Sequence, residues 1–235
     1  MFSLREKRKH IISVHLNQNH LACYWLEKLK QNQFEVRAYQ ATILKRFEFK
    51  NLITFNSLFI KSTLQNFIKK HNLKKSDAVL SLGGPGFIEQ IINLGTEIPQ
   101  IYHLNCAKNV PIFWDYQPMS YVKQSNKTYY YCCAITKELL FQQQLIALMV
   151  PITYTKILSQ RISLLHACNY FFPDQLAHAV INNHASLQNS IRYCIDQWDV
   201  ESHIINFTSS LIQYKQQLFE AIGAYLAGIS AYERI

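Results

Sequence analysis

The side chains able to do chemistry are spread thinly, and their spacing assembles few arrangements that would use them. Ser81 lies two residues before Gly83, yet no G-x-S-x-G elbow surrounds it. Cys132 and Cys133 are adjacent thiols in an apolar, strand-like run, where burial raises a thiol pKa and favours an inert role. Asp115, Glu138, Asp174, Asp196, Asp199 and Glu201 show no paired spacing for acid–base work. His15 and His20 can share a site only across a suitable turn, and no H-E-x-x-H or His/Cys cluster points to a metal. The expectation is therefore a chain without a catalytic centre and without a metal.

One glycine cluster invites a phosphate reading. Leu73–Leu94 reads as a strand (Ala78–Leu82), a break at Gly83-Gly84-Pro85-Gly86, and a second apolar run (Phe87–Leu94). A Walker loop needs Lys and Ser/Thr after its last glycine, whereas Phe87 and Ile88 follow here. The G-x-G-x-x-G dinucleotide spacing is absent as well. Glycine frees φ and proline fixes it, so the cluster is expected to be a structural turn.

Aromatic density is highest at Tyr129-Tyr130-Tyr131, near Trp114, Tyr116 and Tyr121. Such residues beside a basic groove can stack nucleic-acid bases. Strand alternation, however, puts Tyr129 and Tyr131 on one face and Tyr130 on the other, so one set belongs to a core. The formal charge of +9 has clusters at Arg5–Lys9 and at Lys69, Lys70, Lys74 and Lys75. It permits a nucleic-acid or anionic-membrane partner without demanding one.

The elements that must position these residues come next. With 235 residues, 49% hydrophobic and 17% charged, the chain suits one large domain or two small ones. No apolar run reaches the ~20 residues of a spanning helix, and the basic start has no signal core behind it. Six scattered cysteines without C-x-x-C read as reduced thiols of a cytosolic protein. Residues 1–9 read as a basic tail. His10–Leu16, His20–Lys28 and Phe34–Leu44, separated by Asn/Gln-rich breaks, read as an antiparallel meander. Ser57–His71 reads as an amphipathic helix capped by Ser57. After Gly95–Val110, which holds at most a short helix, Asp115–Val122 and Thr128–Ile135 read as a strand pair. Thr136–Met149 reads as a helix, Ile152–Ile157 as a strand and Ser159–Tyr170 as a helix. Gln175–Asn183 and Leu187–Gln197 are expected to be paired strands. Ala221–Ala231 (AIGAYLAGISA) is expected to be a helix whose Gly223, Ala227 and Gly228 allow close packing on a sheet.

This order of elements resembles the actin-like assembly proteins of type IV pili and competence systems, the PilM type, and most nearly their short HofM-like versions. Leu64–Leu94 (LQNFIKKHNLKKSDAVLSLGGPGFIEQIINL) is similar to that family's helix, basic link, strand and glycine- or serine-bearing turn. Asp115-Tyr116 ahead of YYYCCAITKELL, with Ala134–Glu138 (AITKE) at the strand-to-helix junction, resembles a later family segment. The resemblance implies an α/β, actin-like (ribonuclease-H-like) fold, truncated or degenerate, with mixed sheets and flanking helices. It implies a first lobe over residues 10–172, with an inserted subdomain near 95–150, and a reduced second lobe over 173–235.

ATP-binding members of the family hold phosphate in a first hairpin that carries an Asp, a Gly and hydroxyls. Here Val14–His20 reads VHLNQNH, and no second glycine hairpin follows Phe172. The expectation is a non-hydrolysing member without ATP or another cofactor. By resemblance it is a cytoplasmic scaffold, peripheral at the inner face of the bacterial inner membrane. Its partner would be the short N-terminal segment of a PilN-type inner-membrane protein, held beside Tyr116, Tyr121, Ala134, Thr136 and Leu140. A nucleotide-binding ATPase of the same fold and a basic nucleic-acid-binding protein are the alternatives.

Overall fold

A computed structural model of the chain describes residues 11–17, 20–29, 32–44, 56–73, 76–83, 87–94, 97–100, 112–122, 127–136, 152–173, 184–206 and 213–232. Strands β1 (Ile11–Leu16), β2 (His20–Lys28) and β3 (Phe34–Ile43) form the antiparallel meander. Helix α1 (Asn56–Lys70) crosses to β4 (Asp77–Leu82), which pairs parallel with β1. Strand β8 (Thr153–Ser159) then pairs parallel with β4. A two-residue strand, β9 (Ile204–Ile205), joins the far edge at Phe34 and Glu35, giving a six-stranded sheet in the order β8-β4-β1-β2-β3-β9.

All six residues of β1 are buried, because both faces of the sheet are covered. Ile12, Val14 and Leu16, with Ala78, Leu80 and Leu82 of β4, pack on Ile60, Leu64, Phe67 and Ile68 of α1. Those helix positions are spaced by 4, 3 and 1, the stripe of an amphipathic helix. The alternate residues face the other way, where Ile11 and Val79 join a second core with α5 (Lys215–Tyr232) and α2 (Gln160–Phe171). Ser159 caps α2 through its Oγ, which accepts from the Ile162 N–H at 3.2 Å. A Cβ on Gly223 would run into the Ser163 carbonyl of α2, and one on Gly228 would lie 2.7 Å from Val79 Cγ2. The small residues of α5 therefore serve two close approaches: one onto the sheet, as expected, and one onto α2.

Strands β5 (Phe87–Leu94), β6 (Ile112–Val122) and β7 (Lys127–Thr136) make a separate antiparallel sheet in the order β5-β7-β6. Tyr131 is fully buried with Tyr129 packed on the same large core, while Tyr130 packs on the opposite face against Tyr116. The alternation of the three tyrosines follows the strand rule.

One expectation needs correction. Leu187–Gln197 is not a strand but most of helix α3 (His184–Gln197). Its buried residues Leu187, Ile191 and Cys194, followed by Trp198, recur at helical spacing with mostly polar residues between them. The first helix spans Asn56–Lys70, one residue earlier at each end than expected. Beyond α3, a short helix α4 (Val200–His203) is capped by Asp199 and leads into β9. Residues of α3, α4, β9 and α5 pack into the same core as β1, β2 and β4. The basic tail, the expected helix Thr136–Met149 beyond its first residue, and the expected strand Gln175–Asn183 fall outside the described residues.

Candidate functional site

Strand alternation brings Ser13, His15 and Ser81 to one face of the sheet, where α5 lies across them. Ser13 Oγ donates to the Ala221 carbonyl at 2.8 Å. His15 Nδ1 is 2.6 Å from Glu220 Oε1, and a carboxylate only accepts, so Nδ1 carries the proton. Ser81 Oγ donates to the same oxygen at 2.7 Å. Gln160, the first residue of α2, donates to the other oxygen, Oε2, at 2.8 Å. Ser163 Oγ in turn donates to Ser81 Oγ at 3.1 Å. His15 and Glu220 are 1% and 2% exposed, so this is a carboxylate held inside the core by three donors from three elements.

Burial by itself would raise the Glu220 carboxyl. The charge of His15 and the bonds from His15, Ser81 and Gln160 outweigh it and hold the group below the usual carboxylate range. His20 lies beside the cluster, its pKa lowered by burial, raised in part by Glu220 and lowered again by His15. The β1–β2 turn is closed on itself: Asn17 Oδ1 accepts from the His20 N–H at 2.9 Å, and Asn17 N–H donates to the His20 carbonyl at 3.0 Å. His15 and His20 are thus brought together by the turn. Among the described residues, no group of three or more His, Cys, Asp and Glu could hold a metal ion.

A cleft of about 380 Å³ opens next to this cluster. It is lined by Gly83, which follows β4, by Gln160, by the apolar Phe87 and Leu164, and by the exposed Arg192 and Gln216. A Cβ on Gly83 would meet the Gln160 amide oxygen, so the missing side chain leaves Gln160 free to reach Glu220. Arg161 lines the cleft too, but its guanidinium pairs with Glu89 at 3.0 Å. Opposite charges and amides balance across the walls, unlike a site built to neutralise a polyphosphate.

Of the residues expected to hold a peptide, Tyr116 is half-buried and packs edge-on against Tyr130, ring centres 5.7 Å apart. Ala134 is buried on that same face beside Cys132 and Ile92. Tyr121 pairs with Thr128 and Thr136 with Ile112 in the β6–β7 register. Leu140 falls outside the described residues. Cys132 and Cys133 are buried, and burial pushes each thiol up to about 12, consistent with an inert role.

The sequence reading missed Glu220, although a signal was present. It is a lone acid among Leu218, Phe219, Ala221 and Ile222, and His15 is the one titratable residue of the fully buried strand β1. A titratable group isolated in an apolar run needs a partner from elsewhere in the chain.

No family model matches the chain, and no curated protein does. Among solved structures, it is similar to a chain of a PilM–PilN type IV pilus biogenesis complex, with a TM-score of 0.53 and 8% identity over 72% of this chain and 52% of that one. A second similarity, to the cytoplasmic domain of EpsL, an inner-membrane component of the type II secretion system of Vibrio cholerae, has a TM-score of 0.38 and 11% identity. It covers 66% of this chain and 59% of that one and carries no argument at that score. The chain thus spans about half the length of the structures it matches, and what it has in common with the pilus complex is a mixed α/β fold.

Proposed function

We propose that the protein is a non-catalytic component of a type IV pilus or DNA-uptake (competence) machine. It would hold the short N-terminal cytoplasmic segment of a PilN-type inner-membrane protein. The observation that carries this reading is the fold common to this chain and a chain of a PilM–PilN complex. The peptide would lie along β6, an edge strand of the small sheet, with Tyr116 and Tyr121 as contacts and Ala134 shaping the sheet beneath. An extended peptide added to a sheet edge gains main-chain hydrogen bonds, and side-chain pockets supply its specificity. The absence of ATP chemistry is part of the proposal. It is supported by a first hairpin whose Asn17 and His20 bond to each other and whose His15 turns inward onto Glu220. The inward packing of Tyr129 and Tyr131 disfavours a base-stacking platform. Among the described residues no helix is long and apolar enough to cross a membrane. The basic residues Arg5–Lys9 would add attraction to an anionic inner-membrane surface.

Co-expression with a PilN-type protein from the same genome tests the reading. The two should co-purify, and deleting the partner's N-terminal cytoplasmic segment should abolish co-purification. Co-purification that survives that deletion would refute the peptide mode.

A further inference from the structure

The cluster around Glu220 has more donors than a packed core requires. Leu218, Phe219, Ala221 and Ile222, its neighbours on α5, are all fully buried, so an apolar residue at this position would complete an ordinary core. Instead His15 from β1, Ser81 from β4 and Gln160 from α2 converge on one point. Two donors reach one carboxylate oxygen and one reaches the other, a pattern that suits a planar carboxylate. The ring around it also has reserve capacity. His15 is 1% exposed, its Nε2 has no partner among the described residues, and neither does the hydroxyl of Tyr24, whose ring stands edge-on to it.

We infer that this cluster is a carboxylate-binding site that the chain keeps filled with its own side chain, Glu220. A small carboxylate such as formate or acetate is the ligand class it would take once that side chain is removed. Access would come from the cleft, because Gln160 belongs both to the cleft wall and to the donor set. In the natural protein the slot is occupied, so external anions compete with a group tethered at high effective concentration and gain nothing. The inference is independent of the proposed peptide partner, and its test involves neither peptide nor pilus protein.

The test is chemical rescue. Glu220→Ala leaves a hole lined by the same donors, and its thermal midpoint should fall. Formate should restore a substantial part of that loss, through binding to the folded state alone, while chloride at equal ionic strength should not. The natural protein and Glu220→Gln, whose slot is still filled, should gain no more from formate than from chloride. Phosphate, bulkier and tetrahedral, should rescue less than formate. If Glu220→Ala is recovered unfolded, refolding from urea should succeed in formate and fail in chloride. The inference is overturned if the Ala variant responds alike to formate and chloride or refolds in neither. It is overturned equally if the natural protein gains as much from formate as the variant, or if phosphate rescues as well as formate.

Discussion

Glu220→Gln keeps the size of the side chain and removes its charge, so its cost measures what the polar cluster contributes. Breaking one half of a buried ion pair leaves the other half uncompensated, and a loss of about 3 kcal/mol in urea unfolding is expected. Combined with His15→Gln, the two losses should fall short of their sum by about 1 kcal/mol or more, whereas strict additivity would mean that the two groups are not coupled. The pH response follows from signs. Glu220 is held below its unfolded value of about 4.3, so its stabilisation is present above that pH and is lost as pH falls through the folded value. His166 acts in a higher window. Burial, aided by the charge of Lys156, pushes its imidazole down to about 4, so below about pH 6.5 the unfolded chain takes up a proton that the folded chain refuses. Stability should therefore decline between about pH 6.5 and 4, and His166→Gln should remove about 1 kcal/mol of that decline, the ring being partly open to solvent. A urea midpoint that stays level across this range would contradict the assignment. The sequence offered His15 as a candidate through its spacing to His20, but not its partner. Glu220 lies 205 positions away, and only the packing of α5 on β1 brings them together.

At the scale of elements, α5 is held by contacts that tolerate no added atoms. Gly223→Ala puts a methyl group into the Ser163 carbonyl of α2, and overpacking of this kind should cost about 1–3 kcal/mol. An Ala variant as stable as the natural protein would show that the helices are not in that contact. Leu187→Ala in α3 should cost about 2–5 kcal/mol, because the side chain is fully buried. The same substitution at Gln188, beside it on the cleft side, should be nearly neutral. Had residues 187–197 formed a strand, the alternate positions Gln188 and Ser190 would have been a face distinct from Leu187, and the pattern of losses would follow a period of two. The meander, α1, β4 and the tyrosine strand were legible because their apolar residues alternate or recur at 3.6 with few interruptions. Helix α3 was misread because mostly polar residues stand between Leu187, Ile191 and Cys194, which become a stripe only when helical geometry is imposed. No local pattern in Gln160 or Ser163 announced the α2–α5 contact either, since it depends on glycine in one helix meeting backbone in another.

At the scale of the molecule, one sheet with a helical layer on each face forms the body, and a three-stranded sheet stands beside it. The described C-terminal elements pack into that body. The similarity to a chain of the pilus complex covers 72% of this chain and 52% of that one. The proposed role is peptide recognition without nucleotide chemistry. Calorimetric titration with the N-terminal cytoplasmic peptide of a PilN-type protein, beside ATP with Mg²⁺ in the same buffer, tests it most directly. Saturable heat from the peptide, weakened by Tyr116→Ala, and none from ATP are the expected results. Tight Mg²⁺-dependent ATP binding, or no response to the peptide, would contradict it.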